Sequence, residues 1–195
     1  MAEFGGFTVE ETEIPGLLTV EIPTFKDERG FFQETYQREK LTMAGLPADF
    51  VAVQANRSHN IEAGTVRGIH AEPWAKYVRT VKEVIFCAFI DLREGTNFGQ
   101  KVELELNIKN AVYIPEGVGN SYMTLAPETD YTYLVGAHWS EEAIGRYTFA
   151  NLADPEIGIN WPIPLSEAIM SDKDRHHPML ADVTPMVIGD GGTES

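Results

Sequence analysis

Apolar and polar residues alternate strictly in Val102-Glu103-Leu104-Glu105-Leu106-Asn107-Ile108, the pattern of a strand with one face buried and the other in water. Continuous apolar or β-branched runs at residues 77–81, 84–90, 111–114 and 131–135 predict further strands. Turn chemistry separates them, most plainly in Arg93-Glu94-Gly95-Thr96-Asn97 and Pro115-Glu116-Gly117. Short strands at such close intervals predict an all-β sandwich or barrel rather than βαβ units. Helical periodicity is scarce. Residues 35–45, with Leu41 and Met43 among charges and Gly45 as a stop, predict one short helix, and residues 166–170 the start of another. No repeat or linker divides the chain, so a single domain is expected over residues 1–186, followed by a flexible tail over residues 187–195.

Charge narrows the partners. The 195 residues carry 30 acidic against 15 basic side chains, a formal charge of −15, which argues against a nucleic-acid binder. A locally basic pocket for a small anion is still open to an acidic protein, and Arg29, Arg67, Lys76 and Lys173 are candidates to build one. Cys87, the only cysteine, lies in an apolar run and reads as a buried packing residue. No stretch approaches the ~20 apolar residues of a membrane span. The N-terminus Met1-Ala2-Glu3-Phe4-Gly5-Gly6 has neither the basic nor the apolar region of a signal peptide. A reducing cytoplasm is therefore the expected location.

The candidate chemistry centres on Val66-Arg67-Gly68-Ile69-His70 with Lys76 six residues beyond. An imidazole exchanges a proton near neutral pH, and neighbouring cations stabilise a developing enolate. A lone strand histidine is more often structural, so this spacing has to be weighed against the rest of the chain. Nucleophilic catalysis has no Gly-x-Ser-x-Gly to support it, and neither a Walker A loop nor a dinucleotide fingerprint is present. The five histidines, His59, His70, His138, His176 and His177, include no His-x-His pair and no regular metal-ligand spacing. Proton transfer survives, with His70 as a base oriented by Asp174 or another carboxylate. Tyr131 and Tyr133 share one strand face and are either core packing or an acid.

Taken in order, the motifs resemble the dTDP-4-dehydrorhamnose 3,5-epimerase family. The likeness runs from Asp27-Glu28-Arg29-Gly30-Phe31-Phe32-Gln33-Glu34 through Gln54-Ala55-Asn56, Val66-Arg67-Gly68-Ile69-His70 and Lys76-Tyr77-Val78-Arg79. It continues in Asp91-Leu92-Arg93-Glu94-Gly95, Phe98-Gly99-Gln100 and Ile114-Pro115-Glu116-Gly117. It closes with Tyr131-Thr132-Tyr133, Trp161-Pro162 and Ser171-Asp172-Lys173-Asp174. The resemblance implies a cupin-like jelly roll, a homodimer, no metal and no cofactor. It also implies a dTDP-linked 4-keto-6-deoxy sugar whose ketone acidifies the protons on carbons 3 and 5. By position His70 is then the base, Asp174 its orienting carboxylate, Tyr133 the acid and Lys76 the donor to the ketone oxygen. Arg29, Glu34, Gln54, Asn56, Arg67 and Lys173 match substrate-binding positions, and Trp139 falls where the family stacks an aromatic ring on thymine.

Three departures border the sugar pocket. Asn120 stands where the family usually has a histidine, Ala71-Glu72-Pro73-Trp74-Ala75 is shorter than the usual loop, and Glu141 and Glu142 are displaced from a family acidic position. The forms Gly-Ile-His-Ala-Glu-Pro-Trp and Gly-Val-Gly-Asn are similar to the epimerase half of fused epimerase–reductase proteins, which implies a separate 4-reductase downstream. Two alternatives stay open at this point: epimerisation at one carbon only, and a non-catalytic nucleotide-sugar-binding cupin.

Overall fold

The computed structural model describes residues 1–189. Its strands begin with β1 (Ala2–Phe4), β2 (Phe7–Glu11), β3 (Leu18–Glu21), β4 (Thr24–Asp27) and β5 (Gly30–Gln33). Next come β6 (Gln54–Asn60), β7 (Val66–Ala71), β8 (Lys76–Thr80), β9 (Ile85–Asp91) and β10 (Lys101–Leu106). The last are β11 (Asn110–Ile114), β12 (Val118–Thr124), β13 (Thr129–Val135) and β14 (Thr148–Phe149). Seven of them form one antiparallel sheet in the order β1-β2-β3-β11-β8-β13-β6, and five form a second, β10-β9-β12-β7-β14. From β6 onward most successive strands alternate between the two sheets. That winding is the cupin-like jelly roll, and β4–β5 stands apart as a separate hairpin.

The pattern of β9 explains why the layers stack as they do. Ile85, Cys87 and Phe89 face inward against Val78, Val112, Ile114 and Tyr131 of the opposing sheet. Phe86, Ala88 and Ile90 face the other way, under Leu152, Ile157, Leu180 and Val183 of the C-terminal segment. A strand covered on both sides reads as an unbroken apolar run, and each fully buried Ile or Phe contributes roughly 1.5–3 kcal/mol. The seven-stranded sheet is covered in turn by α1 (Arg38–Met43), which packs Leu41 against Phe7, Val9 and Val20. Burial raises the Tyr113 phenol in that layer to about 12, with the Asp49 charge adding to it.

The elements differ from expectation at their ends. The alternating strand stops at Leu106, because the Asn107 and Lys109 amides donate to the side chains of Asn110 and Asn107 (2.7 and 2.9 Å) and turn the chain. Helix α1 starts late, at Arg38, after Gln37, whose side chain caps the Lys40 amide (2.6 Å). The helix expected at residues 166–170 is corrected: Ile169 instead bridges to Thr65 beside β7, and the short helix α2 is Asp172–Arg175. The Ser171 hydroxyl accepts from the Asp174 amide (3.1 Å), so the cap fixes the start one turn later. Among the described residues Met186 makes the last backbone hydrogen bond to the domain, its amide donating to the Leu92 carbonyl (2.8 Å). Residues 190–195 of the expected tail lie outside the described residues.

Candidate active site

A bulge in the pairing of β7 with β12 sets the site. Asn120 lies opposite His70 while Tyr122 lies opposite Arg67, so three steps on β7 match two on β12. In a regular strand Arg67 and His70, three apart, face opposite sides. The extra residue reverses that parity, and both line one cavity of about 930 Å³. Gly68 makes the approach possible, with φ of +127° and room for no side chain: a Cβ there would lie 2.4 Å from the Ser121 Cβ and 2.7 Å from its Cα. Only glycine tolerates both conditions.

The opposite wall comes from far along the chain. The Ser171 cap turns Asp174 toward β7, where its Oδ1 accepts from His70 Nε2 (2.9 Å) and from His177 Nε2 (3.3 Å). Phe149 on β14 pairs beside His70, meets that ring edge-on (5.5 Å, 81°) and stacks on His177 (4.7 Å, 13°). Burial tends to raise the Asp174 carboxyl, but hydrogen bonds from His70, Ser171 and His177 together with the His70 charge outweigh it and hold it below the usual carboxylate range. Burial, and then the His70 charge, push His177 below the usual imidazole range, against the pull of Asp174. With Nε2–H of His70 committed to the carboxylate, Nδ1 carries the free lone pair. That tautomer is assigned from the hydrogen bond. The same cavity is lined by Lys173, Trp139 and Tyr147, so two cations, an indole and a base share one space.

Lys76, Asn120 and Tyr133 lie behind this lining rather than in it. Lys76 is almost fully buried, and its ammonium donates to Glu72 Oε1 (2.8 Å) and Asn120 Oδ1 (2.6 Å). The Asn120 amide in turn donates to the Tyr131 hydroxyl (3.0 Å), and Trp74 Nε1 donates to the other Glu72 oxygen (2.6 Å). Tyr131 stacks on Tyr122 (4.3 Å, 15°) in the core and meets the ring of half-buried Tyr133 at a tilt (5.7 Å, 47°). Burial first, then the Glu72 charge, raise the Tyr133 phenol, against a hydrogen bond with Asn56 and the Arg67 charge. Arg67 and Tyr147 link Tyr133 to the cavity, since both line it and both act on that phenol or are acted on by it. Gln54 joins the same wall by donating to Asn56 Oδ1 (3.0 Å) and accepting from the Trp139 amide (2.9 Å).

The model of the family described as dTDP-4-dehydrorhamnose 3,5-epimerase matches residues 11–182. The chain belongs to that family. A protein from Streptococcus pyogenes serotype M6 named as an RmlC homolog is 38% identical over 181 residues, covering 91% of each chain. The dTDP-4-dehydrorhamnose 3,5-epimerase of Sinorhizobium fredii is 34% identical, covering 92% of this chain and 95% of its own. Among solved structures, RmlC from Streptococcus suis in complex with dTDP-D-xylose superposes with a TM-score of 0.87 at 35% identity, covering 96% of this chain and 98% of its own.

Two residues matched to the epimerase pattern join neither the cavity lining nor the hydrogen-bond network beside it within this chain. Arg29 sits at the tip of the β4–β5 hairpin, 85% exposed and paired with Asp27, and Glu34 is bound to Lys40 (2.6 Å). Three others entered the site unannounced: His177, Tyr147 and Glu72. Glu72 and Tyr147 had signals in hand, a carboxylate between His70 and Lys76 and an aromatic two residues before Phe149. His177 had one as well, a ring three residues after Asp174, whose Oδ1 it meets at 3.3 Å.

Proposed function

We propose that this epimerase inverts carbons 3 and 5 of dTDP-4-dehydro-6-deoxy-D-glucose by deprotonation and reprotonation. The observation that carries the reading is the His70–Asp174 pair, open on a cavity large enough for a nucleotide sugar and rimmed by Arg67, Lys173 and Trp139. His70 Nδ1 takes the proton from the carbon beside the ketone, breaking C–H and forming N–H while the electron pair moves onto oxygen. On this reading the Lys76 ammonium turns from Asn120 to that enolate oxygen, where a well-placed donor is worth about 3 kcal/mol. The Tyr133 O–H then gives its proton to the opposite face of the carbon, and both groups re-equilibrate with water. Asp174 holds the imidazole in place through its hydrogen bond to Nε2. Arg67 and Lys173 bind the pyrophosphate, and Trp139 stacks on the thymine.

The protein acts as a homodimer on this reading. The β4–β5 hairpin exposes Phe25, Phe31 and Phe32, all more than half in solvent, around Arg29. An apolar patch with a cation at its tip suits delivery of Arg29 to a second copy's cavity. The ketone product would pass to a separate 4-reductase in the cytoplasm. Among the described residues no helix is long and apolar enough to cross a membrane.

Proton NMR of the purified protein with substrate tests the reaction. Conversion to the doubly inverted ketone supports it, inversion at one carbon selects the single-centre alternative, and dTDP binding with an unchanged sugar selects the non-catalytic one.

A further inference from the structure

The cluster His70–Asp174–His177 has a property that proton transfer does not use. Its three ligand atoms, two imidazole nitrogens and one carboxylate oxygen, all lie within 4.8 Å of one another. Asp174 Oδ1 stands 2.9 Å from His70 Nε2 and 3.3 Å from His177 Nε2. Ligands held tetrahedrally at about 2.0–2.1 Å from zinc are separated by about 3.3 Å, so small side-chain movements bring this set to coordination. The rings of His70 and His177 stand 5.5 Å apart and perpendicular (87°), and the stack of Phe149 on His177 restrains one of them. All three side chains face the open cavity, which leaves room for water as a fourth ligand.

We propose that His70, Asp174 and His177 form a capture site for a divalent transition-metal cation of the zinc class, and that capture switches the base off. Two neutral imidazoles and one carboxylate are a borderline-soft donor set, suited to zinc or cobalt rather than magnesium or calcium. The cation displaces the proton that His70 Nε2 shares with Asp174. That single ring proton relocates to Nδ1, so the ring stays neutral and the nitrogen that must be unprotonated to attack a carbon-bound hydrogen is now occupied. No bond to substrate is made or broken, and a chelator reverses the state. Lys173 and Arg67 on the same cavity oppose the cation, and their neutralisation by a bound pyrophosphate works the other way.

The cation site stands on geometry alone, whereas the inhibitory consequence rests on the epimerase reading. The experiment separates them. Calorimetry with zinc chloride and visible absorption with cobalt chloride, both without nucleotide, should give saturable uptake of one cation per chain and the bands of a low-coordinate cobalt centre. Solvent deuterium exchange into substrate should fall in step with zinc occupancy and return with EDTA. His177→Asn should weaken uptake by at least the roughly tenfold loss that even removal of an outer partner causes. Asp174→Asn should weaken it further, and His176→Asn should leave it near wild type. Circular dichroism confirms that each variant is folded. Absence of one-to-one uptake by the wild type, or uptake indifferent to both His177→Asn and Asp174→Asn, overturns the site. Uptake without loss of exchange overturns the switch, and a wild type that takes up cobalt yet exchanges no deuterium at all counts against the epimerase reading instead.

Discussion

Arg67 and Arg29 are both matched to substrate binding by sequence, yet the fold treats the two regions that carry them in opposite ways. Around Arg67 the chain is over-determined: a bulge, a glycine with no room for a side chain, a capped helix and two stacked rings converge on one cavity. Around Arg29 it is a two-stranded hairpin with three exposed phenylalanines and an ion pair to nearby Asp27. The difference teaches that one cavity is finished within the chain, whereas the hairpin is not tied to it; on the dimer proposed above, a second copy completes the site.

Substitutions separate the two regions, and the largest effect belongs to the finished one. His70→Ala should remove the base and lower exchange at both carbons by about 10²–10⁴, with dTDP affinity retained, as measured by NMR and calorimetry. Gly68→Ala should cost about 2–4 kcal/mol in urea denaturation, because the added Cβ meets Ser121 and the positive φ is strained. A Gly68→Ala protein with wild-type stability and activity would remove the bulge from the explanation. Arg29→Ala should leave the melting temperature unchanged yet lower kcat/KM by roughly tenfold or more through KM, the size of a lost charge-assisted hydrogen bond. If the hairpin reaches a partner, Phe32→Asp should shift sedimentation toward monomer and reproduce the KM defect. A monomeric Phe32→Asp protein with wild-type KM would break the contrast between the regions. Smallest is a pH effect confined to the cavity wall. His177 is held below its unfolded range, so it favours folding above about pH 6.5 and that contribution fades as pH falls through its folded value. Asp174, also depressed, adds a second loss below about pH 4. Chemical denaturation at pH 7.5 and 5 should therefore show a larger acid loss for wild type than for His177→Asn.

What was legible in the sequence follows the same division. Strands reported themselves by alternation or by unbroken apolar runs, since those patterns are the burial itself, as in β9. The His70–Asp174 pairing came from ordered motifs, not from any period, because 104 positions separate the two residues. The parity reversal at Gly68 was illegible for a physical reason, since it depends on a cross-strand neighbour, Ser121. The misplaced C-terminal helix shows a local rule read one turn early, where the Ser171 cap decided the start over weak apolar spacing at residues 166–170.

Solvent isotope incorporation tests the central claim most directly. In deuterated water the wild type should place deuterium on carbons 3 and 5 of the sugar, His70→Ala on neither, and Tyr133→Phe should exchange without completing correct inversion. Wild-type turnover with no deuterium at either carbon, or full inversion by Tyr133→Phe, would contradict a base and an acid acting from opposite faces.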